Sequence, residues 1–269
     1  MIELFEQDIR TENRQSSKGN QLKWLNDEIW YKADYAGYEG LAEYMVSKLL
    51  QYSNLEQESF VLYDTEQIHY KYQNYLGCSS RNFQQPGWQL ITLERLFLNH
   101  YGESLNKCMY SIKNHEGRLK FLVEQTEQIT GLRGFGVYMS KLLALDAFFL
   151  NEDRHTHNIA VLMDGMGDFR YCPVFDNGAA LLSDTTMDYP LNVDVNRLIG
   201  NVKPSAYFTD FTEQLDIAEQ LYGQNIRFSF RYEDVHALLE KEAYYPNEVK
   251  ERVAQVIMEQ RHKYSYLFC

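Results

Sequence analysis

Three polar side chains between residues 145 and 178 have the types that phosphoryl transfer requires. Asp153 and Asn158 stand five positions apart in a segment too polar to continue the apolar helix before it, and Asp176 comes directly before an Asn-Gly pair. Phosphoryl transfer needs a carboxylate near the acceptor hydroxyl and hard oxygen ligands for Mg²⁺ on the phosphates. We therefore predict that Asp153 and Asn158 share one loop and that Asp176 lies beside it.

An embedded β-hairpin explains how Asp176 can approach Asn158 across eighteen positions of sequence. Residues 159–163 (IAVLM) and 169–175 (FRYCPVF) are apolar segments on either side of the Gly-rich stretch DGMGD. This pattern predicts two strands joined by a tight turn, so that the chain runs out and folds back. The second strand then delivers Asp176 to the loop from which the first strand departed.

The elements that position these residues change in character near residue 87. Earlier residues predict strands at 22–25 and 28–33, joined by an Asn26-Asp27 turn, a helix over 38–50 with apolar positions 41, 45 and 49 on one face, and strands at 59–63 and 68–72. Later residues predict helices near 90–100, 119–129 and 135–149, and a last helix from Pro246 to about 263.

These elements predict an α+β fold with two lobes. Residues 1–86 would form a small β-rich lobe with one main helix, and residues 87–269 a larger, mainly helical lobe with an embedded β-hairpin.

The motif strings resemble those of the HipA-like bacterial serine/threonine kinases. DRHxxN at 153–158 resembles their catalytic loop, and FDNG at 175–178 resembles their metal-binding segment. The resemblance implies a two-lobed kinase-like fold that uses ATP and Mg²⁺, related distantly to eukaryotic protein kinases and phosphoinositide kinases. It also implies that Asp153 orients or deprotonates the acceptor, and that Asn158 and Asp176 bind Mg²⁺. His155 is expected to pack within the loop, and His157 to be exposed.

A kinase-like fold further implies a strand lysine for the nucleotide phosphates and a helical glutamate that holds it. Lys32, in EIWYKAD, is the lysine that we expect. Glu39 is the first choice for its partner, because the HipA-like pattern places a glutamate at the head of this helix. Glu43, four positions later on the same helical side, is the alternative.

A small-residue loop, RQSSKGNQ at 14–21, precedes the strands and can bring backbone N–H groups to phosphate oxygens. By resemblance, a serine in this loop can be autophosphorylated, which silences the enzyme. Ser16 and Ser17 are the candidates, and Lys18 and Gly19 would lie near the phosphates. The adenine is expected at the joint between the lobes, around 74–80 (NYLGCSS).

Charge and composition exclude other classes of protein. A net charge of −12 argues against a general nucleic-acid binder and against docking on an anionic membrane. The four cysteines contain no CxxC pair, which indicates reduced thiols, and the first residues predict no signal peptide. We therefore expect a cytoplasmic protein.

Three functions remain open from the sequence. The first is a HipA-like serine/threonine protein kinase with an unidentified protein substrate and a regulatory partner encoded nearby. The second is a small-molecule or lipid kinase of the same fold, although the acidic charge counts against a lipid. The third is a nucleotide-binding pseudokinase that serves as an interaction module.

Overall fold

Residues 1–81 contribute one five-stranded sheet and one long helix to the computed structural model, which describes residues 1–10, 21–204 and 208–269. The strand order is β1-β4-β5-β3-β2, and only the β1–β4 pair is parallel. The elements are β1 (Ile2–Glu3), β2 (Lys23–Asn26), β3 (Ile29–Ala33), α1 (Glu39–Leu50), β4 (Asp64–Tyr70) and β5 (Gln73–Arg81).

The predicted hairpin of β2 and β3 is confirmed, with its turn one residue later than expected. Asp27 and Glu28 both have positive φ, as a two-residue hairpin turn of this hand requires. Opposite residues of the pair share a face of the sheet, so Trp24 and Tyr31 enter the core of this lobe together. Lys23 and Lys32, also directly opposite each other, leave the sheet on its other face.

Helix α1 packs on that second face at very short range. Gly40 lies against the backbone of Gly77 in β5, where a Cβ on Gly40 would be 2.4 Å from the Gly77 carbonyl carbon. The predicted apolar face is confirmed, because Leu41, Met45 and Leu49 are all fully buried. The glycine contact therefore fixes how closely the first turn of α1 approaches the sheet.

Three predictions in this lobe are wrong. Residues 59–63 do not form a strand of the sheet; instead Val61 N–H donates to the Val174 carbonyl and Val174 N–H donates to that of Ser59. The predicted strand 68–72 runs past the end of β4 into the next turn. Residues 74–80 are no joint, because they lie inside β5. The chain leaves the sheet after Arg81 and crosses at 82–87.

The second half is mainly helical around a three-stranded sheet. Strand β6 (Trp88–Thr92) pairs with β7 (Ala160–Asp164), which pairs with β8 (Phe169–Tyr171) in the predicted hairpin. The second strand ends at Tyr171 and not at residue 175 as predicted, because Val174 pairs with residues 59–61 instead. Among the described residues no helix has the length and apolar character to cross a membrane. The helices are α2 (Leu93–Tyr101), α3 (Leu105–Ser111), α4 (His115–Thr130), α5 (Phe135–Phe149), α6 (Val195–Asn201), α7 (Phe211–Tyr222), α8 (Tyr232–Lys241) and α9 (Asn247–Lys263).

Helices α5 and α9 illustrate what the sequence predicted well. Helix α5 covers the predicted 135–149, and apolar side chains all around it are buried. Helix α9 begins one residue after Pro246, its N-cap, and ends at Lys263 as predicted. The order of a β-rich region followed by a helical region with an embedded hairpin is therefore confirmed.

We predict that Gly40→Ala lowers the free energy of unfolding by roughly 1–3 kcal/mol, because the new methyl group would collide with the Gly77 backbone. Gly200→Ala is the matched control: Gly200 lies in α6, and an added Cβ there would meet nothing within 4 Å. The control should gain up to about 1 kcal/mol, since alanine favours helix over glycine. Urea unfolding measures both, and equal effects would contradict the close-contact interpretation.

Candidate active site

The predicted loop begins where α5 ends. Leu150 adopts a left-handed conformation, and its N–H bonds back to Asp146, which stops the helix. Within the loop, Asn158 Nδ2 donates to the Asp153 main-chain carbonyl at 2.8 Å and to Asp153 Oδ2 at 3.3 Å. Asp153 and Asn158 are therefore in direct contact, as the loop prediction requires, and the amide of Asn158 turns its nitrogen toward Asp153.

A buried arginine joins this loop to the segment that carries Asp176. Arg154 is 5% exposed, and its Nε donates to both carboxylate oxygens of Asp146 at 3.1 Å. Its Nη1 donates to the main-chain carbonyls of Asn158 at 3.1 Å and of Phe175 at 2.8 Å. Its Nη2 donates to Asn177 Oδ1 at 2.8 Å. One side chain thus holds the end of the loop and the end of the hairpin together.

Asp176 faces two lysines across the cleft. Lys32 Nζ lies 2.7 Å from Asp176 Oδ1, and Lys23 Nζ lies 3.8 Å from the same atom. Burial alone would raise the pKa of Asp176, but Lys23, Lys32 and Arg154 outweigh it and hold that pKa well below the usual range. Asp176 is therefore ionised at neutral pH. Its backbone has a positive φ, which few non-glycine residues adopt.

Lys32 is paired with Glu43, which corrects our first choice of Glu39. Lys32 Nζ lies 2.6 Å from Glu43 Oε1, and Glu43 Oε2 accepts a hydrogen bond from Asn177 N–H at 2.8 Å. Burial acts to lower the pKa of Lys32, but Asp176 and Glu43 raise it well above its ordinary value. Glu43 therefore holds both the lysine and the segment after Asp176.

Glu39 has a different task because it is the first residue of α1. Its carboxylate accepts hydrogen bonds from Ala36 N–H at 2.7 Å and Gly37 N–H at 3.1 Å, with Tyr35 N–H further away at 3.3 Å. It orders the loop that leads into the helix. One turn separates Glu39 from Glu43, and only the second turn of α1 lies over Lys32.

Lys23 is the site residue that the sequence analysis missed. It lines the same cleft as Gln21, Asp153, Asp176 and Ser183. The predicted Asn26-Asp27 turn would place residue 21 opposite residue 32, whereas the observed turn at residues 27–28 places Lys23 there. Ser16, Ser17, Lys18 and Gly19 lie outside the described residues.

The two histidines of the loop differ as expected. His155 is partly buried and contacts Asp153, with its Nε2 3.5 Å from Asp153 Oδ1. His155 Nδ1 lies 3.2 Å from His157 N–H and accepts that hydrogen bond, which leaves the ring proton on Nε2, toward Asp153. His157 is exposed. Within the described residues no group of three or more His, Cys, Asp or Glu side chains could hold a metal.

The apolar surroundings of the cleft extend toward the crossing at 82–87. Phe83 and Phe175 pack against each other with ring centres 5.8 Å apart. Both rings contact one apolar cluster that includes Cys78 and a second one that includes Cys172. Burial raises the pKa of both thiols, so they are protonated at neutral pH. Aromatic side chains of this kind suit contact with a planar heterocycle.

The donor set fits a Mg²⁺ ion with nucleotide phosphates. Mg²⁺ in proteins commonly has one or two protein oxygen ligands and takes the rest from phosphates and water. Asp176 supplies an ionised carboxylate, and Asn158 supplies an amide oxygen on the side away from Asp153. Lys23 and Lys32 supply positive charge on the same side of the sheet for phosphate groups.

Comparison with solved structures shows which fold this is. The chain is similar to the proinflammatory kinase CtkA of Helicobacter pylori, with a TM-score of 0.62 over 98% of this chain and 94% of that chain. Sequence identity is 13%, so the likeness concerns the fold alone. The chain has the predicted two-lobed, kinase-like α+β fold. No protein-family model matches it, and no curated protein matches it in sequence.

A carboxylate near the cleft has an unusual pKa. Asp34 Oδ1 accepts from Gly40 N–H at 2.6 Å, and Oδ2 accepts from the Tyr245 hydroxyl at 2.7 Å, which ties the start of α1 to the helical lobe. Burial and the charge of Glu39 raise the pKa of Asp34 to about 7, although both hydrogen bonds oppose the rise. Asp34 therefore gains charge near neutral pH.

We predict that Asp34→Asn removes a pH-dependent loss of stability. With a folded pKa above the unfolded one, Asp34 contributes stability below about pH 4 that is lost as pH rises through 7. The free energy of unfolding of wild type minus that of Asp34→Asn should therefore fall by up to about 4 kcal/mol between pH 4 and pH 8. Urea unfolding across this range tests it, with Asp168→Asn in an exposed turn as control. A pH-independent difference would contradict the prediction.

Proposed function

We propose that this chain is an ATP- and Mg²⁺-dependent phosphotransferase. The observation that carries the proposal is the position of Lys32, which contacts Glu43 from helix α1 and Asp176, a carboxylate that lines one cleft together with Asp153. A buried lysine held by two carboxylates, beside a loop carboxylate and an amide ligand, is the arrangement that positions a nucleotide for phosphoryl transfer. The kinase-like fold supports the same conclusion.

Each residue has a distinct role in this proposal. Asp153 would orient or deprotonate the acceptor hydroxyl, while Lys32 and Lys23 would bind phosphate oxygens. Asn158 and Asp176 would hold Mg²⁺, which when bound offsets the charge of the phosphates. Glu43 would keep Lys32 extended into the cleft. His155 would restrain the carboxylate of Asp153 through Nε2.

We propose a protein serine or threonine as the acceptor, in a HipA-like kinase. The small-molecule or lipid kinase and the pseudokinase are the alternatives, and the ionised Asp176 and its ligand set favour an active enzyme over a pseudokinase. Incubation of a host lysate with labelled ATP separates them: labelled protein bands support the proposal, a labelled small molecule supports the second, and no label supports the third. A cytoplasmic location and a regulatory partner encoded nearby remain part of this proposal.

We predict that Asp153→Ala and Asp176→Ala lower the rate of phosphate transfer by at least roughly 10²–10⁴-fold. Asp176→Ala should also weaken Mg²⁺-dependent ATP binding, because it removes a metal ligand, whereas Asp153→Ala should largely spare it. Transfer of labelled γ-phosphate and calorimetry with Mg-ATP measure the two effects. Asp168→Ala, in the exposed β7–β8 turn, is the matched control. Wild-type activity in both site variants would refute the assignment.

We also predict that the enzyme phosphorylates its own nucleotide loop. Mass spectrometry after incubation with Mg-ATP should find phosphate on Ser16 or Ser17, and the modified protein should bind ATP more weakly. Asp153→Ala, incubated in the same way, should remain unmodified. An unmodified loop in an enzyme that transfers phosphate to other acceptors would reject this form of self-regulation.

A further inference from the structure

Arg252 in α9 is a buried arginine whose guanidinium faces main-chain carbonyls. It is 5% exposed, and its Nη2 donates to Pro190 at 2.8 Å, Leu191 at 3.0 Å and Val193 at 3.1 Å, while Nη1 donates to Tyr189 at 3.4 Å. A buried charge is stable only when its donors are satisfied. Segment 189–193 is irregular, so its carbonyls have no partners in a helix or strand. Arg252 donates to these carbonyls instead and so orders the segment.

The segment that Arg252 holds is connected to the cleft. The Tyr189 hydroxyl donates to Glu152 Oε2, the residue directly before Asp153, and Tyr189 N–H donates to the Asp184 carbonyl at 2.8 Å. Burial and Glu152 raise the pKa of Tyr189, so its hydroxyl keeps the proton that it donates. A displacement of residues 189–193 would thus be transmitted to the loop that carries Asp153.

A strained turn lies at the other end of the same segment. Leu181 and Leu182 are buried and both have positive φ, which bulky side chains rarely adopt. The Tyr38 hydroxyl donates to the Leu181 carbonyl at 2.7 Å, and the charge of Arg252 opposes the rise that burial causes in the pKa of Tyr38. Residues 189–193 are therefore held by Arg252 itself, and the turn at 181–182 by Tyr38.

Between these ends the segment runs along the mouth of the cleft. Ser183 lines the cleft with Asp153, and Thr186 N–H donates to the Ala36 carbonyl at 3.0 Å, so the segment spans from the helical lobe to the loop before α1. Met187 is 80% exposed and Tyr35 is 63% exposed at this edge. An acceptor that reaches Asp153 from this side passes over residues 183–189.

We propose that Arg252 is a positioning residue that shapes the acceptor side of the active site by ordering residues 189–193. The proposal rests on the proposed phosphotransferase function. Arg252 would affect binding of the phosphate acceptor and would not affect binding of the nucleotide. Lys23, Lys32 and Asp176, which would face the nucleotide, contact one another, whereas Arg252 donates to the carbonyls of 189–193.

Hydrogen exchange of Arg252→Met, Arg252→Lys and Arg261→Met tests the structural part. Arg261 lies on the same helix with its guanidinium over the Phe268 ring, so it is the matched control. In Arg252→Met, amides of residues 184–193 should exchange at least about tenfold faster, with those of β2 and β3 unchanged. Arg252→Lys should lie between, because an ammonium cannot span four carbonyls. Uniformly faster exchange, or none, would overturn the proposal.

Kinetics with Mg-ATP and dephosphorylated casein test the functional part. In Arg252→Met, kcat/KM for casein should fall at least about tenfold, while the Kd for Mg-ATP measured by calorimetry stays within about twofold of wild type. Equal losses of both would show a merely structural role and overturn the proposal. A wild type that binds no Mg-ATP would refute the proposed function, and the exchange result would still decide whether Arg252 orders the segment. A wild type that binds Mg-ATP without modifying casein would count against the protein acceptor.

Discussion

The candidate active site depends on one buried guanidinium. Arg154 holds the carboxylate of Asp146 from α5, the carbonyl at the end of the loop that carries Asp153, and the carbonyl and amide on either side of Asp176. The loop with Asp153 and the segment with Asp176 are both irregular, so no ladder of backbone hydrogen bonds holds them together. The hydrogen bonds of Arg154 hold them at a fixed distance instead. Losing one partner of a buried ion pair costs on the order of 3–5 kcal/mol of folding stability, so separating the loop from the segment with Asp176 is strongly unfavourable.

The β-rich lobe is joined to the segment around Asp176 by charged side chains. Glu43 accepts hydrogen bonds from Lys32 in its own lobe and from Asn177 N–H in the other, so one carboxylate fixes helix α1 relative to the segment after Asp176. The close packing of Gly40 on Gly77 decides which turn of α1 meets the lysine. Lys23 and Lys32 both approach one oxygen because the Asp176 carboxylate is ionised and attracts both ammonium groups.

The sequence predicted the site where local patterns were strong and failed where distant contacts decided. Asp153, Asn158 and Asp176 stand in a polar loop and at the end of a hairpin, and the structure brings the two segments together through Arg154. Glu39 and Glu43 share one side of α1, so periodicity could not choose between them.

The choice between Glu39 and Glu43 depends on how α1 packs on the sheet, because the start of the helix was predicted to within one residue. Residues 59–63 have a strand composition but pair with Val174 from the other lobe, a contact that no local pattern encodes. Strand β6 was missed for the same reason, because its partner β7 begins at residue 160.

The central claim is that the cleft between Lys32 and Asp153 holds a magnesium nucleotide. A crystal structure with Mg²⁺ and a non-hydrolysable ATP analogue tests it most directly. We expect the metal at about 2.0–2.1 Å from oxygens of Asp176 and Asn158, with the terminal phosphate facing Asp153 and phosphate oxygens on Lys32. A nucleotide bound elsewhere, or one whose metal contacts neither Asp176 nor Asn158, would contradict the account.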